Sequence, residues 1–142
     1  MDFQDMPGHL IRRLNQTSTQ VFQARMKSEG LDLTSVQFAA MAAICDAPGS
    51  DQASIAAAIA YDRATIGGVI DRLEQKGWVV RRTGRKDRRA REVALTEAGH
   101  AILKQTRPVV RDLQADILSG LTEEERQTFI QLARKATHLT RS

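Results

Sequence analysis

Cysteine is all but absent from this chain of 142 residues: Cys45 stands alone. One cysteine excludes an internal disulfide framework and any Cys-rich zinc site. Aromatic residues make up only 4%, which disfavours recognition of single strands by base stacking. No apolar run approaches the ~18 residues of a membrane span. Asp2 and Asp5 stand where a secretory signal would carry positive charge. The chain is therefore expected to be soluble and cytoplasmic, without a membrane partner. Catalytic signatures are missing as well. His9, His100 and His138 are scattered, and no H-E-x-x-H, G-x-S-x-G or phosphate-loop pattern occurs. Neither enzyme activity nor a metal or other cofactor is expected.

What is present is positive charge in one place. Residues 76–91 hold Lys76, Arg81, Arg82, Arg85, Lys86, Arg88, Arg89 and Arg91 against Asp87 alone, a net +7 in a chain whose total is +4. The remainder is therefore net negative, by three charges. A solvated helix face normally mixes its signs. Concentrated cations displace the counterions condensed on phosphates, the main sequence-independent source of nucleic-acid affinity.

Periodicity supplies the frame. Pro7 suits a first helical turn, and Leu10, Leu14, Val21 with Ile11, Phe22, Met26 recur at helical spacing up to Gly30. Thr34 and Gln37 form a capping box, flanked by Leu33 and Phe38 as a hydrophobic staple; that helix stops before Pro48-Gly49. Asp51 caps a short helix to about residue 59. Asp62 caps another over 62–76, with Ile66, Val69, Ile70 and Leu73 as its buried stripe and Gly77 as its end. The period then changes to two: 78–83 and 89–95 form a hairpin with the basic tip Gly84-Arg85-Lys86-Asp87-Arg88. Thr96 opens a long helix in which Pro108 should produce a kink or a break near residue 107. After Gly120, the capping box Thr122/Glu125 opens a last helix carrying Phe129, Ile130, Leu132 and Leu139.

Two short helices joined across Ala60-Tyr61-Asp62 make a helix-turn-helix, whose second helix fits the major groove of duplex DNA. Arg63, Ala64, Thr65, Gly67 and Gly68 open that helix, with Arg72 and Gln75 farther along its exposed side. The glycine pair costs roughly 2 kcal/mol of helix stability. Either a neighbouring helix or the DNA must therefore approach closely there. The basic hairpin that follows is a wing, its tip suited to the narrow minor groove. Tyr61 is expected to fill the core of the turn and Trp78 to pack at the start of the strand.

Two motifs resemble a known family. Asp87 to Gly99 (DRRAREVALTEAG) looks like the wing signature D-x-R followed by L-T-x-x-G of MarR-type regulators. Leu73-Glu74-Gln75-Lys76-Gly77-Trp78-Val79 is similar to that family's L-E-x-x-G-h-[VI] exit from the recognition helix. The resemblance spans nearly the whole chain and implies dimeric winged-helix repressors, often released from DNA by small ligands. It implies Arg89 in the minor groove, Asp87 positioning a wing arginine, and Arg63, Thr65 and Arg72 facing the major groove or its phosphates. The sequence departs at Gly67-Gly68, where relatives often carry polar or basic side chains.

The expected fold is mainly α with a small β-hairpin wing: a winged helix-turn-helix with N- and C-terminal dimerisation helices in one domain, 1–142. Its DNA-binding lobe is 33–95 and its dimerisation lobe 1–32 with 96–142. The apolar terminal helices call for a partner copy, and a homodimer calls for a near-palindromic operator on double-stranded DNA. The polar stripe His9, Arg13, Gln16, Gln20 on the first helix, beside Phe38 and Met41, suits a small aromatic acid, and the resemblance puts effector pockets in that region. The other reading of the stripe is a solvated or intersubunit polar face. The expected function is a sequence-specific repressor released by such a ligand, an arrangement that fits control of aromatic-compound breakdown. The alternatives are an architectural DNA-binding protein without sequence preference, or a redox sensor through Cys45. Peroxide sensors that resemble this chain carry their cysteine near the start of the first helix, whereas Cys45 falls late in the second and suits a small buried hydrophobe.

Overall fold

The computed structural model describes residues 1–84 and 91–138. A 3₁₀ turn, Phe3–Asp5, precedes α1 (Pro7–Ser28), α2 (Ser35–Asp46), α3 (Gln52–Ala58) and α4 (Ile66–Gln75). Strands β1 (Val79–Thr83) and β2 (Arg91–Leu95) follow, then α5 (Glu97–Ile117) and α6 (Glu123–Ala136). The hairpin is antiparallel, with Val79 opposite Leu95 and Thr83 opposite Arg91.

Local chemistry sets these boundaries. Both expected capping boxes form, Thr34 with Gln37 and Thr122 with Glu125. Gly30 and Gly77 close α1 and α4 in left-handed conformations, at φ +69° and +78°. The α3 end uses the same device without glycine. Ala60 has φ +55°, with Ala60 N–H donating to Ala57 O and Tyr61 N–H to Ala56 O, a Schellman closure. The tight turn between α3 and α4 is thus made by a residue whose Cβ resists it.

The chain forms two compact units, Phe22–Arg111 and Met1–Val21 with Asp112–Ser142. In the first, α2 packs on α3, α4 and β2, and α4 on α3 and β1. Met41, Ile44, Ile55, Ile66, Ile70, Leu73, Val93, Leu103 and Leu113 are fully buried, and all but Leu113 belong to this unit. A bridge between Ser50 and Val93 ties the free edge of β2 to the α2–α3 connection. In the second unit, Ile11, Leu14, Leu118, Phe129, Ile130 and Leu132 line an apolar groove of about 850 Å³.

Three sequence expectations need correction. The helix expected from Asp62 becomes regular only at Ile66. Asp62 O accepts from both Thr65 N–H and Ile66 N–H, and Gly68 N–H bonds to Thr65 O, so three-residue bonds mix with four-residue ones where the helix begins. Pro108 does not split the long helix, which runs unbroken through it. Tyr61 is 38% exposed rather than buried in the turn. Leu139 lies outside the described residues.

Candidate nucleic-acid interface

One face of α4 is core and the other is open. Ile66, Ile70 and Leu73 are at most 1% exposed. Arg63, Ala64, Thr65, Gly68, Arg72 and Gln75 are exposed and Gly67 is half-buried. Thr65, Gly68 and Arg72 fall at i, i+3 and i+7, one stripe along the helix. Asp62 shapes the approach to it, its Oδ1 accepting from Ala64 N–H at 3.1 Å. The Thr65 hydroxyl donates to Asp62 O at 3.2 Å.

Electrostatics at the α3 entrance involve the same helix. Asp51 caps α3, its Oδ1 accepting from Ser54 N–H at 2.8 Å. That backbone bond, then the Ser54 side chain, and more weakly the Arg63 cation hold its carboxyl below the usual aspartate range. A lowered folded-state pKa means the cap stabilises fully above the unfolded-state value and loses that contribution as pH falls through the folded-state value. Asp51→Ala is expected to cost about 1 kcal/mol near neutral pH. The gap from the unsubstituted protein should narrow as pH falls below the ordinary aspartate range, as read by thermal melts taken through that fall.

The cationic window is not uniformly free. Arg81, on β1, has only 10% of its side chain exposed. Its guanidinium donates to Gln52 Oε1 of α3 at 2.8 and 3.0 Å. It pairs with Asp71 at 2.8 Å and Glu74 at 3.0 Å, and reaches Gly67 O at 3.3 Å. Lys76 donates to Asp32 O at 2.5 Å and Gln37 Oε1 at 3.1 Å, and lies 4.9 Å from the centre of the half-buried Trp78 ring. The charge of this window is therefore not all presented outward. Two of its eight cations fasten the recognition helix to the rest of the unit, while Arg82 and Arg91 are exposed on the strands. Arg85, Lys86, Asp87, Arg88 and Arg89 lie outside the described residues.

A second fastening joins the hairpin to α5. Thr96 Oγ1 donates to Gly77 O at 2.6 Å and accepts from Gly99 N–H at 3.0 Å. Thr96 N–H donates to Trp78 O at 3.0 Å. A Cβ on Gly99 would stand 2.0 Å from that same Trp78 oxygen. The L-T-x-x-G motif is a backbone-to-backbone contact that only glycine permits. The motif's spacing alone does not reveal this cause, and a count of charges does not show that Arg81 turns inward.

The effector candidates fall in both units. On α1, His9 is half-buried, its ring 4.5 Å from that of Phe3, and Arg13 and Gln16 are exposed. On α2, Phe38 is half-buried, 6.3 Å from Phe22, and Met41 is completely buried. Cys45 is half-buried. Among the described residues, no group of three or more His, Cys, Asp or Glu is placed to hold a metal ion. No described helix is long and apolar enough to cross a membrane.

A helix-turn-helix with an exposed second helix, followed by an antiparallel hairpin, defines a winged helix-turn-helix. The MarR family model matches residues 31–90. The chain is 36% identical over 135 residues to transcriptional regulator HosA of Escherichia coli O157:H7, covering 95% of this chain and 97% of that one. It is 35% identical over 134 residues to the HTH-type transcriptional repressor NicR of Pseudomonas putida, covering 94% and 84%. A solved structure of Bordetella bronchiseptica BpsR, whose DNA binding is regulated by 6-hydroxynicotinic acid, matches with a TM-score of 0.87 at 30% identity, covering 96% of each chain. This chain belongs to the MarR family and is a transcriptional regulator of that type.

Proposed function

We propose that the protein is a homodimeric repressor that binds a near-palindromic operator and leaves it when a small aromatic acid binds. The carrying observation is the exposed Thr65–Gly68–Arg72 stripe on a helix whose opposite face is wholly core. A helix so mounted presents its N-terminal residues to base edges, and Arg63 and Arg72 supply cations for bases or phosphates. The wing residues Arg85, Lys86, Arg88 and Arg89, with Asp87 positioning, complete the contact in the minor groove. The apolar groove between α1, α5 and α6 supports pairing of two copies, with residues 1–32 and 96–142 as the dimerising lobe and 33–95 as the DNA-binding lobe. Two-fold symmetry then sets the recognition helices about 34 Å apart.

A ligand releases the DNA only by binding the non-operator state more tightly than the operator-bound one. His9, Arg13 and Gln16 of α1 are the proposed effector contacts. Arg13 would pair with the carboxylate and His9 with a ring substituent. The relation to BpsR makes 6-hydroxynicotinic acid the first probe. Protected genomic DNA fragments give the operator, and titrating the probe into that complex reads release. Arg13→Ala is expected to raise the concentration needed for release at least tenfold while operator affinity stays within about twofold. Release at the unsubstituted concentration removes Arg13 from the site.

A further inference from the structure

The glycine pair in the recognition helix has two physical explanations, and the structure separates them. Close packing against another element requires atoms where a Cβ would stand. At Gly67 a Cβ would meet only Gln52 Nε2 at 3.5 Å, an ordinary contact. At Gly68 it would meet nothing within 4 Å among the described residues. Nor does the backbone require glycine. Neither residue has a positive φ, and both lie within the regular helix. Among the described residues nothing packs into the space Gly68 leaves, and the glycine costs helix stability. The position is the centre of the exposed stripe, between Thr65 one turn before and Arg72 one turn after.

We infer that Gly68 is a specificity-determining notch: its missing side chain lets the major-groove edge of a base pair come into van der Waals contact with the helix backbone. The inference deepens the operator-binding reading and rests on it. Thr65 and Arg72 flank the notch and hold the register along the groove, and any side chain on Gly68 pushes the helix out of it. A base edge is favoured over a phosphate because Gly68 lies in the first turn of α4, the part of a recognition helix that points at bases. The selection is by shape, and it operates at a position with no hydrogen-bonding group of its own.

The test is a size series, Gly68→Ala and Gly68→Leu, in the full-length protein, with melting temperature and affinities for operator and scrambled duplexes read on each. Gly68→Ala is expected to melt about 2–5 °C higher, because alanine is the better helix former and nothing obstructs it. Its operator affinity should fall about tenfold and that of Gly68→Leu about a hundredfold. Affinity for scrambled DNA should stay within about twofold in both. Equal losses on the two duplexes would place a phosphate at the notch and overturn the assignment to a base edge. Unchanged operator affinity would overturn the notch altogether. A melting temperature that falls in Gly68→Ala would show that the protein itself needs this glycine. Operator preference of the unsubstituted protein, measured in the same titrations, tests the underlying reading separately.

Discussion

Gly99→Ala is expected to destabilise the protein by about 3 kcal/mol, at the upper end for overpacking. A methyl group at 2.0 Å from the Trp78 carbonyl oxygen cannot be accommodated by a rotamer change, because both partners are backbone. Helix α5 must move away from the start of β1, which stretches the Thr96 bonds to Gly77 O and Trp78 O. Those bonds join the exit of the recognition helix to the hairpin. A shift there should also reduce operator affinity in the fraction that remains folded. For a chain of this size the melting temperature should fall by about 10 °C. Gly8→Ala is the matched control: its Cβ meets nothing within 4 Å, so it should melt at or slightly above the unsubstituted temperature. Equal melting of the two variants would contradict the close approach.

The second large effect is expected at Arg81. Its guanidinium joins β1 to α3 through Gln52 and to α4 through Gly67 O, Asp71 and Glu74. Arg81→Met keeps the length and apolar stem but leaves these acceptors unpaired. Asp71 and Glu74 retain 61% and 43% side-chain exposure, so water rehydrates them and limits the loss to about 2 kcal/mol. Arg81→Lys should recover less than half, since an ammonium cannot address acceptors on three sides with a planar fork. Operator affinity should fall about tenfold as the helix loses its fixed tilt against the wing. The decisive readout is salt. An arginine that contacts phosphate lowers the slope of log affinity against log salt by about one when it is removed. A residue that acts only by positioning α4 leaves that slope unchanged, and this is the result expected for Arg81→Met. A slope reduced by one would put Arg81 on the DNA.

Much of this organisation is legible in the sequence because its causes are local. The boxes Thr34/Gln37 and Thr122/Glu125, the Asp51 cap and the closing glycines Gly30 and Gly77 act within a few residues, and periodicity gives the buried face of α4. The exposed stripe of the recognition helix follows from the same periodicity. What the sequence conceals is set by contacts between distant residues. Lys76 meets Asp32 across 44 positions and Arg81 meets Gln52 across 29, and nothing in a run of basic residues reveals which ones turn inward. Gly99 is conspicuous only when the Trp78 carbonyl stands opposite it. The late start of α4 also escapes pattern reading. An Asp at a helix entrance marks the first turn, whether the bonds beyond it span three residues or four. Ala60 shows the converse case, a left-handed turn residue that carries none of the usual glycine signal.

The central claim is that twin copies of this chain read a particular stretch of duplex through α4. The most direct measurement is a titration of the purified protein on its selected genomic site and on a scrambled duplex of equal length, at physiological salt and with stoichiometry determined. The account predicts two chains per site and a preference of about a thousandfold or more for the selected duplex. One chain per site, or equal affinity for the two duplexes, would contradict it.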